Sequence, residues 1–329
     1  MPSDNSIRVI SRSDVERFLT PDTALRLVDS AMRSVSIGNS RHLTRRILEL
    51  PVPGAMMGDM PGSLADDAGF GLKTISIFPA LPGGRTPHRG FIVVFEPRTG
   101  NPVAVVEAGS VTAIRTAAAS AHATRLLARD DARSLGILGA GEQAEHHVRA
   151  LLSSHRFETL TLWARRSEQL GPLHEIASAW KDVKVRRASS PEQAAAEDVV
   201  CTVTSASDPI LLGRWLKPGQ HLNLVGSSFD GPREVDDEVV TRSRYFVDAR
   251  DSALLHASEL RHAIKNGLVT TAHIAGEIGQ VAIGSVIGRR SMAEITVYKS
   301  LGHIAQDLEC AWFLYQRAHS DGFGTRAAF

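Results

Sequence analysis

The sequence predicts an α/β protein whose core is a doubly wound parallel sheet, accompanied by a smaller α+β region. Three observations carry this. A glycine-rich turn, Gly139-Ala140-Gly141-Glu142-Gln143-Ala144, follows an apolar run at 135–138 and opens a helical stretch. Short β-branched runs then alternate with helical segments as far as residue 248, the pattern of buried parallel strands with helices on both faces. Before the turn the texture differs: residues 44–106 hold short β-like runs punctuated by Pro and Gly, as in an antiparallel sheet.

Taken in order, residues 12–37 carry apolar side chains at helical spacing, with Ser13 and Pro21-Asp22 as start signals and Gly38 as a stop. Strands are expected at 46–50, 71–78, 91–95 and 102–106. Residues 110–129 are rich in alanine and read as one long helix, closely packed because its side chains are so small. Further strands are expected at 135–138, 159–163, 183–186, 198–204, 221–225 and 245–248, with helices starting at 142 and ending near 179. Residues 294–319 read as a helix-rich tail.

Composition narrows the function. A chain of 329 residues exceeds one comfortable core, so two domains are expected. With 37 basic against 36 acidic side chains and 5% aromatics, the chain has neither the field to gather a polyanion or an anionic membrane nor the platforms to stack unpaired bases. Cys201 and Cys310 stand far apart, without metal-type or disulfide-dense spacing, so no metal is expected and a reducing, cytoplasmic location is. No leader-like segment opens the sequence, and no uncharged run approaches the ~18 residues that span a bilayer.

The turn has the form G-x-G-x-x-A. Gly139 suits the tight bend, Gly141 lets backbone approach a pyrophosphate, and Ala144 lets the helix pack on the strand, so that free helix N–H groups hold the phosphates. An ordinary βα turn is the competing reading, and the flanking alternation favours dinucleotide binding. Ala140, Glu142 and Gln143 complete the turn, and Thr204 and Val225 stand at the ends of later strands lining the same edge. After the second strand an acid would bond the ribose 2′-hydroxyl of NAD; the chain instead has Arg165, Arg166 and Ser167. Two guanidinium groups suit a 2′-phosphate, so NADP(H) is preferred over NAD(H), with solvated surface charge as the alternative.

Three cations interrupt apolar segments. Lys73 lies in an alternating strand, where a buried ammonium implies a partner anion. Arg115 breaks the alanine-rich helix, and Arg45 precedes Met60-Pro61. Each alone reads equally as surface charge. With a dinucleotide fold, together they suggest a site for a carboxylate-bearing substrate.

At this point the sequence resembles the ornithine cyclodeaminase/mu-crystallin family over nearly its whole length. The resemblance rests on Arg45, Met60-Pro61, Lys73, Val94-Phe95-Glu96-Pro97 with Thr99-Gly100, Thr112-Ala-Ile-Arg-Thr-Ala-Ala, the glycine turn, Pro218-Gly-Gln-His-Leu-Asn-Leu-Val-Gly226, Arg233-Glu-Val-Asp236, Tyr298-Lys-Ser-Leu-Gly302 and Gln306-Asp307-Leu308. It implies a homodimer in which a Rossmann domain, residues 116–293, is inserted into a substrate-binding and dimerisation domain made of 1–115 and 294–329. By position, Arg45, Lys73 and Arg115 resemble the family's carboxylate binders. His88 takes the place that approaches cofactor and substrate, and Lys299 and Ser300 resemble contacts near the nicotinamide.

One departure separates the branches. Where cyclodeaminases carry a catalytic Asp, this chain has Ser228, as the ketimine reductase branch does, and a serine is no carboxylate base; Asp230 stands two residues further on. The resemblance therefore implies an NAD(P)H-dependent reductase of cyclic imino acids such as Δ1-pyrroline-2-carboxylate or Δ1-piperideine-2-carboxylate, yielding an amino acid such as L-proline. Lys73, His88 or Ser228 would serve a water-borne proton relay. The alternatives are an ornithine cyclodeaminase, an alanine- or opine-type dehydrogenase, and a crystallin-like ligand-binding protein without turnover.

Overall fold

The computed structural model describes residues 6–65, 68–78, 88–228 and 231–328. The chain divides into two compact units, Met1–Arg115 with His303–Phe329, and Thr116–Gly302.

The first unit starts with β1 (Ser6–Ile10), α1 (Arg12–Phe18) and α2 (Pro21–Ser36). The helical spacing of residues 12–37 thus covers two helices. Ser11, and not Ser13, caps the first in a capping box with Asp14; Thr20 caps the second with Pro21 in its first turn, where a missing N–H costs nothing. There follow β2 (Arg41–His42), β3 (Arg46–Glu49), β4 (Met56–Ser63), β5 (Phe70–Ile77), β6 (His88–Phe95) and β7 (Pro102–Glu107). The strands from β4 to β7 pair antiparallel, as the punctuated texture implied. The exception in this sheet is β1, which pairs with β7 in parallel. Helix α3 (Ala108–Leu127) comes next, its Ala113, Ala117, Ala118, Ala119, Ala121 and Ala123 all buried; the division between the units falls within it.

The second unit holds β8 (Ser134–Leu138), α4 (Glu142–Ser154), β9 (Thr159–Trp163), α5 (Gly171–Ala177), β10 (Lys184–Arg187), α6 (Pro191–Ala195), β11 (Val199–Thr202) and β12 (His221–Leu224). It continues with α7 (Asp237–Thr241), β13 (Arg244–Val247), α8 (Arg250–His256), α9 (Ser258–Lys265), β14 (Ile274–Glu277), α10 (Ile278–Ala282) and β15 (Thr296–Lys299). All eight strands pair in parallel, in the order β10-β9-β8-β11-β12-β15-β13-β14. Strand order reverses between β8 and β11, the topological switch point at which such sheets bind ligands. Leu138, Val200, Leu222, Leu224, Tyr245 and Val297 are fully or almost fully buried in the core of this unit.

Returning to the first unit, α11 (Ile304–Asp321) lies across β1, β4, β5, β6 and β7 with α2 packed on it, and β16 (Thr325–Ala328) adds to the free edge of β1. The returning segment therefore begins at His303, not at 294: residues 296–299 form β15, paired in parallel with β12 and β13, and belong to the nucleotide-type sheet. Among the described residues no helix is long and apolar enough to cross a membrane.

Candidate active site

In the second unit the carboxyl end of β8 runs straight into the glycine turn. Gly139 has φ 136°, and a Cβ there would stand 2.6 Å from the Val203 carbonyl oxygen at the end of β11, so only glycine fits between the two strands of the switch point. Gly141 is the N-cap of α4 and has no side chain to cap it, and a Cβ built there would meet nothing within 4 Å, leaving the free N–H groups of the 13-residue helix open to a ligand. Ala144 is fully buried against the sheet, while Ala140, Glu142 and Gln143 are half-buried. A cradle that a Cβ would fill, beside an uncapped helix end, fits a dinucleotide pyrophosphate. Arg165, Arg166 and Ser167 are exposed directly after β9.

Thr204 and Val225 extend β11 and β12, and a residue without an assigned role ties these ends together. Glu234 is 2% exposed and accepts from Thr202 Oγ1 (2.7 Å), Thr204 N (2.6 Å), Thr204 Oγ1 (2.7 Å) and Gly226 N (2.7 Å). Burial raises its carboxyl above the usual range, against the opposing pull of Lys299 and the threonine hydroxyls. Lys299, which the resemblance places near the nicotinamide, has its ammonium buried and donating to the Gly226 carbonyl oxygen (2.5 Å) and Glu259 Oε1 (3.1 Å). It braces the turn that carries Ser228. Tyr245 donates to the same Glu259 oxygen (3.0 Å). Ser300 is 2% exposed, and its hydroxyl has no partner among the described residues. Ser227, at φ 58°, takes a left-handed conformation that a residue with a Cβ seldom adopts. Ser228 is half-buried; Asp230 lies outside the described residues.

In the first unit, Lys73 of β5 is 1% exposed on the sheet face that α11 covers, and its ammonium donates to Asp307 Oδ1 at 2.9 Å. Arg115 of α3, 4% exposed, donates through Nε to the same oxygen at 2.9 Å and through Nη1 to Gln306 Oε1 at 3.3 Å. Burial lowers the Lys73 ammonium to about 8 against the attraction of Asp307, and Arg115 and Arg45 lower it further. For Asp307 burial acts upward, but Arg115 and Lys73 overcome it and hold the carboxyl below its usual range. Arg45, half-buried between β2 and β3, is thus near enough to act on Lys73. The backbone of His88 opens β6 opposite Ile77.

The anion that Lys73 required was therefore Asp307, 234 residues away; it stands in the Gln306-Asp307-Leu308 block that carries the family resemblance, but nothing local ties it to Lys73. Glu234 and Glu259 carried no local signal either, since each lies in a polar stretch.

A parallel sheet with a glycine turn at its switch point in the second unit, and buried cations gathered on Asp307 in the first, are the features of a nucleotide-dependent oxidoreductase. The chain belongs to the ornithine cyclodeaminase/mu-crystallin family, whose profile matches residues 5–322. It is 34% identical over 260 residues to the ketimine reductase mu-crystallin of Mus musculus, covering 79% of each chain. Among solved structures it is similar to the Δ1-pyrroline-2-carboxylate reductase of Thermococcus litoralis in complex with NADH and L-proline, at TM-score 0.93 and 29% identity, covering 97% of this chain and 99% of that one. An archaeal alanine dehydrogenase dimer with bound NAD superposes at TM-score 0.91 and 27% identity, covering 98% and 99%.

Proposed function

We propose that this protein is an NAD(P)H-dependent oxidoreductase of the C=N class that reduces cyclic imino acids, Δ1-pyrroline-2-carboxylate and Δ1-piperideine-2-carboxylate, to L-proline and pipecolate. The observation that carries the reading is the geometry in the first unit: Lys73 of β5 and Arg115 of α3 meet on one oxygen of the buried Asp307 at 2.9 Å each, with Arg45 near enough to act on Lys73. A second carboxylate, brought by the substrate, would share these cations. The glycine turn and the α4 N-terminus would hold the dinucleotide, which when bound would supply hydride to the carbon of an imine whose nitrogen is already protonated. Lys73 and Arg115 hold the substrate carboxylate and so fix where that carbon lies, an orientation effect that lowers a barrier by several kcal/mol. Ser228, in place of a carboxylate, favours the reductase over the lyase.

NADPH is the proposed reductant, because Arg165 and Arg166 follow β9 where an acid would select NADH. The proposed assembly is a homodimer. Val9, Leu48, Met57 and Phe91, all on the sheet face opposite Lys73, are at least 39% exposed, and the archaeal neighbour is a dimer. The two buried free cysteines suit the reducing cytoplasm.

A panel of cyclic imines with NADPH and NADH, followed at 340 nm as a general assay wavelength, tests the reading. Consumption of NADPH with formation of L-proline is expected. Ammonia release from L-ornithine without net cofactor turnover, and no reduction of any imine, would overturn it.

A further inference from the structure

We propose that Asp307 is a positioning residue of the substrate-carboxylate site, holding Lys73 and Arg115 on one oxygen and keeping Lys73 charged for the incoming carboxylate; this rests on the reading that the substrate is an imino acid. Two cations from separate elements, β5 and α3, meet at Oδ1 at 2.9 Å each. The carboxylate that joins them lies in the first turn of the 18-residue α11, where the helix dipole favours an anion. The neighbouring side chains hold the same turn in place. His303 caps it by accepting the Ala305 N–H (3.1 Å), and Gln306, which receives Arg115 Nη1, is itself bonded to Met32 Sδ (3.2 Å).

The groups that face Lys73 show why the charge matters. Its cross-strand neighbours Met60 of β4 and Ile92 of β6 are apolar and buried. On β4 the nearby charge, Asp59, is paired with Arg46. From α11 come Asp307 and the thiol of Cys310, which burial keeps neutral. From α3 comes Arg115, and from the β2–β3 connection Arg45, both positive. Asp307 is therefore the only anion acting on Lys73 among these groups. Remove its charge, and burial and two guanidinium groups act together to strip the ammonium of its proton. A neutral amine no longer draws a carboxylate.

Asn is the nearest substitution in shape and removes the charge, with the cost of a buried NH2 that finds no acceptor among the described residues. Its carbonyl oxygen can keep both hydrogen bonds to Oδ1, and Oδ2, which has no hydrogen-bond partner among the described residues, is replaced by an amide nitrogen that displaces no existing bond.

The test is the pH profile of kcat/KM for Δ1-pyrroline-2-carboxylate in wild type, D307N, K73R and D307N/K73R, with NADPH affinity measured alongside. Ratios to wild type cancel the substrate's own ionisation. In wild type kcat/KM falls as pH rises through about 8, where Lys73 loses its proton. In D307N the fall moves down to roughly pH 7 or below, about tenfold per pH unit beyond the midpoint, mainly through KM, with NADPH affinity unchanged. In D307N/K73R the fall disappears, because a guanidinium stays charged. A uniform loss at every pH in D307N, or a parallel loss of NADPH binding, would overturn the proposal. Should wild type reduce no cyclic imine, the functional reading fails and the Asp307 assignment is decided without substrate. The chain has only six lysines, so 13Cε-lysine NMR resolves Lys73, assigned by its disappearance in K73R. A titration midpoint that is the same in wild type and D307N would refute the assignment.

Discussion

Gly141→Ala separates cofactor binding from folding. Gly141 has φ −89° and ψ −173°, extended values that alanine adopts without strain, and a Cβ there would meet nothing within 4 Å. Two small effects on stability oppose each other. Alanine reduces the freedom of the unfolded chain, a gain of about 0.4–1 kcal/mol, and it is a poorer helix N-cap, a loss of about 0.5–1 kcal/mol. They nearly cancel, so Tm should move by no more than about 2 °C. The new methyl group would occupy the space through which the α4 N–H groups reach a pyrophosphate. Affinity for NADPH and NADH should fall on the order of tenfold or more, about 1.4 kcal/mol or above. Fluorescence titration of both cofactors beside a circular-dichroism melt reads the two quantities. Gly139→Ala is the contrast: with φ 136° and the Val203 oxygen 2.6 Å from its Cβ, it should lose stability as well as binding. Full cofactor affinity in Gly141→Ala would refute the placement of the pyrophosphate at this helix.

Replacing both Arg165 and Arg166 by Ser should weaken NADPH roughly tenfold while leaving NADH unchanged, by competition titration; equal effects on both would remove the arginines from the 2′-phosphate. Glu234→Gln sets an amide NH2 against the N–H of either Thr204 or Gly226 whichever way it turns, a cost on the order of 2–4 kcal/mol that a melt should register as roughly 5–15 °C. His147 is buried between Ser120 and the Gln143 carbonyl oxygen, and burial lowers it to about 4. The unfolded chain takes up this proton near pH 6.5 and the folded chain near 4, so stability present above 6.5 is lost as pH falls through that window, on the order of 3 kcal/mol by its lower end. Urea midpoints measured across it should fall less steeply in His147→Gln, and an unchanged slope would assign the acid sensitivity elsewhere.

What could be read from the sequence was what local rules encode. The glycine turn, the strand at 159–163 and the alanine-rich helix follow from periodicity and from the few residues that a tight bend or close packing admits. Lys73 and Arg115 stood out because burying a charge demands a reason, and Lys73 accordingly required an anion. The identity of that anion was not legible, because α11 packs across β5 only through tertiary structure. The boundary at 303 was missed for a related reason: the run 296–299 is too short to be told from a helix by periodicity, and its pairing with β12 and β13 decides it. The residues that tie strand ends together, Glu234 and Glu259, showed no structural role in the sequence for the opposite reason. An acid in a polar segment predicts solvent, and only the fold buries it.

The return of the chain into its first unit has a consequence for biosynthesis. Residues up to 115 leave the ribosome with Lys73 and Arg115 already present, yet the carboxylate they share arrives only with α11, after the whole of Thr116–Gly302. Until then the sheet lacks its covering helix, and two cations destined for its interior lack the carboxylate they come to share. The second unit has every strand of its own sheet within one continuous segment and is free to fold during that interval, bringing the two separated pieces of the first unit close enough to shorten the loop that remains to be closed. Completion of this charge cluster is thereby deferred until α11 has been made, and a chain that stops short of α11 would present an open sheet to the cell's quality-control machinery.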